Sequence, residues 1–377
     1  MVALKASLAK LGLFGLTVLS AACSSESPDS KSPDNGGNTE KPPNPMAMPC
    51  EPLNSGYPGD DRCILAPDPD KGLHFHVGPK DYTDPAELAK YELPIGKEIT
   101  ECYYMMSPNA EVYNFFEQHY RMRPGSHHLI ISMGPAGEVR EEGWAPCESA
   151  QGYIPIGGSQ EGVGEFPTDG IVAPEDADLF RPLAANVPLE FELHFVNSTN
   201  QPILREAWVN FAKKDVVEGD RILGGVFLIG REGLTVDPFS KKTLTYQSAP
   251  AAEPTRIVSL YGHRHAYTTR FSVWANRAGA RELIYEDYDW KEPTELSYNS
   301  VIKNRAPDPV GLKAGGASGI LEFAVGDTLE WECQIDNTSE HTLTFSNAVY
   351  TGEMCNVFGS LVGPLFWRGR GTLTASK

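Results

Sequence analysis

One stretch indicates the fold class most clearly, and it reads Leu189-Glu190-Phe191-Glu192-Leu193-His194-Phe195-Val196. Apolar and polar side chains alternate along it. Because successive side chains of a β-strand point to opposite faces, this alternation predicts a strand with one buried and one polar face. Residues 329–336 repeat the pattern. Half-buried antiparallel strands are therefore expected in both halves of the chain.

Around these two strands the chain consists of short apolar segments separated by Gly, Pro and Asn, and long helical periodicity is scarce. Residues 85–91 fit one or two helical turns, and residues 109–120 fit no single type of element. Many short strands with turn signals between them predict β-sandwiches, and 377 residues suffice for two. We expect an all-β fold of two consecutive antiparallel jelly-roll-like β-sandwich domains, residues 71–217 and 218–377.

The composition excludes some classes of partner. The formal net charge is −18, and 41% of the residues are hydrophobic, which is enough for a substantial core. Nucleic-acid binding needs clustered Lys and Arg, so a nucleic-acid partner is not expected. The same charge disfavours adsorption to anionic lipid.

The N-terminal segment has the composition of an export signal. Lys5 and Lys10 precede an apolar run that is too short to span a bilayer and that leads through small residues into Cys23. These small residues resemble a bacterial lipobox, so residues 1–23 are predicted to be a lipoprotein signal peptide with Cys23 as the lipidation site. The protein would be an exported outer-membrane lipoprotein facing the periplasm or the cell surface. The alternative is an ordinary secreted protein with a free N-terminus.

Residues 24–70 are predicted to be a flexible tether with a local disulfide, because their first half is rich in Ser, Pro, Asn and Gly. The chain has seven Cys, an odd number, and lipidation of Cys23 leaves six. An exported compartment permits disulfides. Sequence proximity, and one pair in each half, suggest Cys50–Cys63, Cys102–Cys147 and Cys333–Cys355. Buried thiols or soft metal ligands are the alternative.

His263 and His265 form a His-x-His motif on an apolar segment of the second half. On a strand such residues share a face, so the two imidazoles would lie side by side as a two-point metal ligand. Two solvated imidazoles on an open sheet face are the alternative. The intervening Arg264 should face the other side of the strand.

A second group of histidines lies in the first half. His127 and His128 begin an apolar strand after Pro124-Gly125. Adjacent strand residues point to opposite faces, so binding one metal requires a distorted start of the strand or different ring nitrogens. His194 is on the polar face of its own strand and could join them in a three-imidazole site.

Met354, in the segment Gly352-Glu353-Met354-Cys355-Asn356, is the candidate third ligand beside His263 and His265. Core packing is the usual fate of Met and is the alternative. A thioether with two imidazoles would select copper, above all Cu(I), and would be a poor ligand set for a zinc hydrolase.

These four motifs, in this order, resemble the copper type II, ascorbate-dependent monooxygenases, the family of the peptidylglycine α-hydroxylating and dopamine β-monooxygenases. The resemblance covers residues from about Gly72 to the C-terminus. The family also has one disulfide that links its Met-Cys segment to an upstream strand and another that brackets its His-His segment. Both match the pairings suggested above.

The resemblance implies two coppers per chain. His127, His128 and His194 would hold one copper, which stores and relays an electron across a solvent-filled cleft. His263, His265 and Met354 would hold the other copper, the catalytic one, which meets O2. The implied reaction hydroxylates a C–H bond of a small-molecule substrate, with ascorbate or a similar one-electron donor as reductant and a lipid anchor holding the protein at a membrane.

The chain departs from the peptidylglycine enzyme at the expected substrate site. An Arg that grips the substrate carboxylate is replaced by Tyr261, and Phe358 stands where a Tyr is expected. Peptide amidation is therefore doubtful, and the substrate stays open.

Several other functions and residue roles remain open. The alternative function is an exported copper-binding or electron-transfer protein without hydroxylase activity, and a structural β-sandwich with vestigial sites is a third. His74 and His76 form a further His-x-His motif without an evident third ligand, so we expect a structural or surface role. Glu190 and Glu192 are candidates to hydrogen-bond ring N–H groups, or are simply a solvated strand face.

Overall fold

The computed structural model describes residues 44–147, 152–160, 162–166, 178–291, 293, 295–297, 301–302, 322–363 and 366–377, which belong to one compact unit. The predicted signal peptide, Cys23 and the beginning of the tether lie outside the described residues.

Among its described residues, the first half of the chain contains one helix, α1 (Pro85–Leu88), which begins at the N-cap Asp84. No helix in the described ranges is long and apolar enough to cross a bilayer. The strands of this half are β1 (Gly72–Val77), β2 (Glu92–Leu93), β3 (Glu98–Met106), β4 (Tyr113–Met122), β5 (Ser126–Met133), β6 (Gly143–Ala145), β7 (Ile154–Ser159), β8 (Val163–Phe166), β9 (Leu179–Leu183), β10 (Pro188–Val196), β11 (Ile203–Leu204) and β12 (Ala207–Lys213).

The strands of the second half are β13 (Arg221–Ile229), β14 (Thr235–Val236), β15 (Ser240–Gln247), β16 (Thr255–Arg264), β17 (Thr268–Arg277), β18 (Ala280–Asp287), β19 (Glu295–Ser297), β20 (Val301–Ile302), β21 (Glu322–Phe323), β22 (Thr328–Asn337), β23 (Leu343–Thr344), β24 (Cys355–Val362), β25 (Phe366–Arg370) and β26 (Thr372–Ser376). The ambiguous segment 109–120 thus contains most of strand β4.

Three larger sheets build the fold. A twelve-stranded sheet has the main order β1-β12-β4-β9-β13-β24-β16-β19-β20, and two five-stranded sheets have the orders β6-β3-β10-β5-β7 and β18-β17-β22-β15-β26. One hydrophobic core is built from residues 75–211 and lies between the first five-stranded sheet and the β1-to-β9 part of the large sheet. The other is built from residues 226–361 and lies under the second five-stranded sheet. The predicted all-β sandwich fold is confirmed.

Strand β10 shows why the alternating sequence folds in this way. Its apolar residues Leu189, Phe191, Leu193 and Phe195 are at most 1% exposed and lie in the first core. Each such buried side chain contributes about 1.5–3 kcal/mol. The polar face was expected to be half-exposed, but His194 is 1% exposed. Other residues of the fold therefore cover the polar face of β10 at His194, and these residues form the candidate metal centre.

The large sheet joins the two halves of the chain through a parallel pair. Leu179 and Phe180 of β9 pair with Arg221 and Ile222 of β13. A second parallel pair joins β13 to β25. The expectation of purely antiparallel sheets is therefore wrong at these two pairs. Strands β9 and β13 are separated by β10 to β12, so the chain has room for the crossover that a parallel pair needs. The predicted boundary at residue 217 falls in the loop between β12 and β13.

The second part of the predicted tether is packed on the first sandwich. Met46 is 5% and Ile64 is 3% exposed. The side-chain amide of Asn210 on β12 donates hydrogen bonds to the carbonyls of Met46, at 2.8 Å, and Leu65, at 2.9 Å. The tether cannot extend freely to residue 70, because these apolar side chains and carbonyls find partners on β12. The three predicted disulfides, Cys50–Cys63, Cys102–Cys147 and Cys333–Cys355, are all formed.

Candidate metal centre

A β-bulge places the histidine pair of the first half. His194 on β10 lies opposite His128 on β5, and the next residue, Phe195, pairs with Ser126. His127 is therefore the extra residue of the bulge, and its ring turns to the same side as its neighbours. Ring centroids lie 5.4 Å apart for His127 and His128, and 5.1 Å from each of them to His194. The distorted strand start that the adjacent pair required is present.

The pairing of β16 with β24 positions the candidate ligands of the second half, His263, His265 and Met354. His263 lies opposite Asn356 in this pair, which brings the preceding Met354 to the same end of the sheet. Nε2 of His263 is 3.2 Å from Sδ of Met354. His265 follows the end of β16, and its ring centroid is 5.5 Å from that of His263. Arg264 faces away, as expected, and forms a buried ion pair of 3.0 Å with Asp287.

The two predicted ligand sets lie together in one cluster. Centroid distances between the sets are 5.7 Å from His127 to His263, 5.6 Å from His127 to His265 and 5.3 Å from His128 to His263. His127, His263 and His265 can each offer a ring nitrogen within 4.8 Å of the others. The expected solvent-filled cleft between the sets is thus replaced by direct contact of their rings. We call these five histidines with Met354 the His–Met cluster.

The histidines of the cluster are buried, and burial favours the neutral form of His127, His128, His263 and His265. Its five histidines are at most 7% exposed. Burial, reinforced by neighbouring imidazoles, holds the pKa of His127, His128 and His263 well below its usual range. Burial also lowers the pKa of His265 to about 3. A neutral imidazole offers a lone pair, which is the form that binds a metal.

Several ring nitrogens in the cluster have no hydrogen-bond partner, although buried polar atoms normally find one. They are His127 Nε2, His128 Nδ1, His194 Nδ1, His265 Nδ1 and His265 Nε2. Burying so many ring nitrogens without partners costs free energy when no ligand is bound. The same nitrogens are suited to bind metal ions. The donor chemistry therefore fits copper, which accepts both imidazole and thioether ligands.

Three residues that support the cluster were missed by sequence reasoning. The first is Glu353, which is fully buried, and burial raises its pKa to about 7. Its Oε1 accepts hydrogen bonds from the backbone N–H groups of His265, at 2.5 Å, and Met354, at 2.8 Å. One carboxyl group thus fixes the backbone at two ligand residues. Its position next to Met354 was the available signal.

Glu98 on β3 joins the two halves of the site. Its Oε1 lies 2.9 Å from Nε2 of His194 and accepts a hydrogen bond of 2.5 Å from the amide of Val349. This contact leaves Nδ1 of His194 as the free ring nitrogen. Of the two carboxylates predicted for this role, Glu192 lies 3.8 Å from the His128 ring, whereas Glu190 accepts a hydrogen bond from Tyr104.

Gln160 is the third supporting residue. Its Nε2 is hydrogen-bonded to Nδ1 of His263, and its buried Oε1 has no partner in this orientation. The reversed carboxamide would accept a hydrogen bond from Nδ1–H and leave Nε2 of His263 free for a metal. Gln160 lies in a Gly-rich stretch without periodicity, so nothing in the sequence pointed to it.

Two cavities adjoin the cluster. One has a volume of about 300 Å³ and is separated from His263 by Gln160 and Phe358, which line it. The other, of about 420 Å³, has His127 itself in its wall. Gln160 and Val163 line both cavities. Small molecules therefore have space on two sides of the cluster.

His74 and His76, the further His-x-His motif, lie outside the His–Met cluster. His74 is hydrogen-bonded to Asn210, at 2.7 Å, and His76 to Glu206, at 2.8 Å. His76 also stacks on Trp208. These contacts satisfy the two rings structurally, as expected for this motif.

Comparison with known proteins does not identify the chain. No family model matches it, and no curated protein matches it. One match among solved structures is to a chain described as "The Triple Jelly Roll Fold and Turret Assembly in an Archaeal Virus", with 9% sequence identity and a TM-score of 0.17. It covers 74% of this chain and 60% of that one, and a likeness this weak carries no argument.

Proposed function

We propose that the protein is a copper-dependent monooxygenase that hydroxylates a C–H bond of a small organic molecule, as the resemblance to the copper type II, ascorbate-dependent monooxygenases implies. The observation that carries the proposal is the convergence of five buried imidazoles and one thioether, with five ring nitrogens lacking hydrogen-bond partners. Six donors exceed what one copper needs, so two metal ions per chain account for them better than one.

The donors divide between the two ions by strand. His127, His128 and His194 come from the paired strands β5 and β10, and His263, His265 and Met354 come from the second half. The thioether of Met354 favours the reduced state of the copper it binds. Contact between the two sets supports binding of the ions close together within the His–Met cluster.

Copper, when bound, supplies the one-electron redox chemistry by which O2 hydroxylates a C–H bond. The balance requires one oxygen atom to enter the C–H bond and the other to leave as water, with two electrons and two protons from ascorbate or another donor. The chain's own part is to exclude water by burial, to favour the neutral form of four of the imidazoles and to hold all five in place. Glu353, Glu98 and Gln160 perform the last task through hydrogen bonds to the ligand residues.

We further propose that the protein is an exported lipoprotein anchored through Cys23. Three disulfides support export, because such bonds persist in oxidising compartments.

The decisive experiment measures metal content and coupled turnover. Protein purified from copper-replete cells is expected to contain two coppers per chain. In the presence of ascorbate and a suitable small molecule, it should consume O2 in proportion to hydroxylated product. Protein without copper after replete growth, or O2 use that never yields product, would overturn the proposal.

The alternative is a copper-binding or electron-transfer protein without hydroxylase activity. The contact between the two ligand sets favours it in one respect, since adjacent metal ions exchange electrons without any organic substrate. Reversible reduction of both coppers without formation of product from any candidate substrate would identify this function.

A further inference from the structure

Arg181 is a buried cation without a carboxylate partner. It lies on β9 and is 8% exposed. Its Nη1 and Nη2 donate to the carbonyls of Pro155, at 3.4 Å, and Gly224, at 3.1 Å, while Nε is buried without a partner. Among the described residues no carboxylate pairs with it. Buried charges are normally paired, because desolvation of an ion costs several kcal/mol.

The guanidinium remains charged in this position. Burial lowers its pKa to about 10, which is still well above neutral pH. An ion pair with Asp178 satisfies Arg221, which lies opposite Leu179 on the neighbouring strand. One Arg at this junction is thus paired with a carboxylate, and for the other none is found in the part of the chain that the structure describes.

Arg181 lines the cavity of about 300 Å³ that adjoins the His–Met cluster. The cavity also has an aromatic wall, formed by Phe227, Tyr261 and Phe358. The ring of Phe358 stacks on that of His263 at 5.3 Å, and Gln160 bonds the same imidazole. The cavity therefore has a cationic group, an apolar wall and a boundary that touches a candidate metal ligand.

We propose that this cavity binds a small organic carboxylate, with its acid group on Arg181 and its apolar carbon skeleton against the aromatic wall. The inference deepens the proposed function by naming its substrate class, and it rests on that function only for the chemistry that follows binding. The planar guanidinium fork is suited to two carboxylate oxygens, and its charge is not balanced by a carboxylate among the described residues. A volume of about 300 Å³ is at the lower end for ligand pockets, so the substrate is small.

The test uses the metal-free full chain, so its result does not depend on copper or turnover. Binding of 3-phenylpropionate, its amide and 3-phenylpropylamine, which share one skeleton, is measured by calorimetry and by the shift in Tm. Wild-type protein is expected to bind the acid at least about tenfold more tightly than the amide, because the amide cannot neutralise the charge. The amine should not bind measurably. Equal binding of acid and amide would overturn the inference.

Two variants test whether Arg181 causes the preference for the acid over the amide. Arg181→Met should reduce the preference for the acid to less than about twofold. The matched control is Arg221→Met on the neighbouring strand, where Arg221 already has a carboxylate partner, and this variant should keep the preference. Arg181 also donates to the carbonyls of Pro155 and Gly224, so binding of the amide shows whether Arg181→Met has kept the cavity intact. An undiminished preference for the acid in Arg181→Met would overturn the inference.

The two proposals can fail separately. If the protein binds the acid selectively but never takes up copper, the carboxylate-binding cavity is supported and the monooxygenase proposal is wrong. If it binds two coppers but does not prefer the acid, the metal-binding part of the proposed function is supported and the carboxylate inference is wrong.

Discussion

Nε2 of His263 lies 3.2 Å from Sδ of Met354, across a separation of 91 residues in sequence. The β16–β24 pairing creates this contact, and the disulfide between Cys333 and Cys355 attaches the Met segment to the opposite sheet. A thioether and an imidazole are donor types that Cu(I) accepts, so this contact supports the proposed copper site.

Replacement of Met354 tests this pair directly. Met354→Ile should reduce the copper content from two to one per chain and abolish oxygenation, because the ion that lacks its thioether has only two imidazoles. Elemental analysis and a Cu(I) competition assay measure this. Met133→Ile on β5, away from the cluster, is the control and should retain both ions. Unchanged copper content in Met354→Ile would remove Met354 from the site.

Glu353→Gln tests the carboxyl group that fixes two ligand residues. A carboxamide oxygen in place of Oε1 keeps the bonds from His265 and Met354 but puts an NH2 group opposite the backbone N–H of Tyr267, which now donates to Oε2 at 3.2 Å. The reversed carboxamide would remove the acceptor of His265 and Met354 instead, so one side of the group always loses its hydrogen bonds. We expect a loss of about 1–3 kcal/mol in the free energy of unfolding and a weakening of copper binding by about tenfold or more. Urea titration and metal competition measure the two effects. The exposed Glu340→Gln should change neither quantity.

The bulge that orients His127 can be disturbed at Gly125. This residue has φ = +92°, and an added Cβ would lie 2.4 Å from Cδ1 of Ile203. Gly125→Ala should cost about 1–3 kcal/mol of stability and should lower copper binding to the first-half histidines. Gly137→Ala is a matched control with φ = +85° and open space around its Cβ. It should show the backbone cost alone; loss of copper in both variants would reject the geometric explanation.

Removal of single disulfides separates stability from metal binding. Cys333 and Cys355 are separated by 22 positions in the sequence, so Cys333→Ala combined with Cys355→Ala should cost about 3 kcal/mol. It should also weaken copper binding by Met354, the residue before Cys355. Removal of Cys50–Cys63, which lies in the packed segment of the first half, should lower stability without changing copper binding. Chemical unfolding and metal competition on both variants measure these effects.

Lipidation can be tested on the mature protein. Mass spectrometry of the membrane fraction should find an acylated Cys23 at the N-terminus. Cys23→Ser should release the protein from the membrane. An unmodified N-terminus elsewhere would contradict the lipoprotein prediction.

Periodicity and residue type predicted much of this molecule from sequence. Strand β10 was indicated by its alternation, and the cysteine pairs by proximity within each half. The His and Met candidates were chosen for their side-chain chemistry. All of these signals are local, or depend on the chemistry of a single residue.

The contacts that unite the site were not predictable in this way. The bond from Glu98 to the Val349 amide spans 251 residues, and the β9–β13 pair depends on a crossover that no short motif encodes. The merging of the two ligand sets follows from these long-range contacts. Nothing in the sequence singled out Arg181, because only the folded chain shows that no carboxylate of the described residues pairs with it.

The bulge at His127 and the segment around Met354 lie in different halves of the sequence, yet their side chains belong to one cluster. The cluster therefore does not exist in the unfolded chain, and it is completed only after β24 has paired with β16. Uptake of the two proposed copper ions would therefore follow the folding of both halves. A chain truncated after residue 217 would keep only the histidines of the first half. It would lack the donors for the second proposed copper ion, so its metal content would distinguish it from the full-length chain.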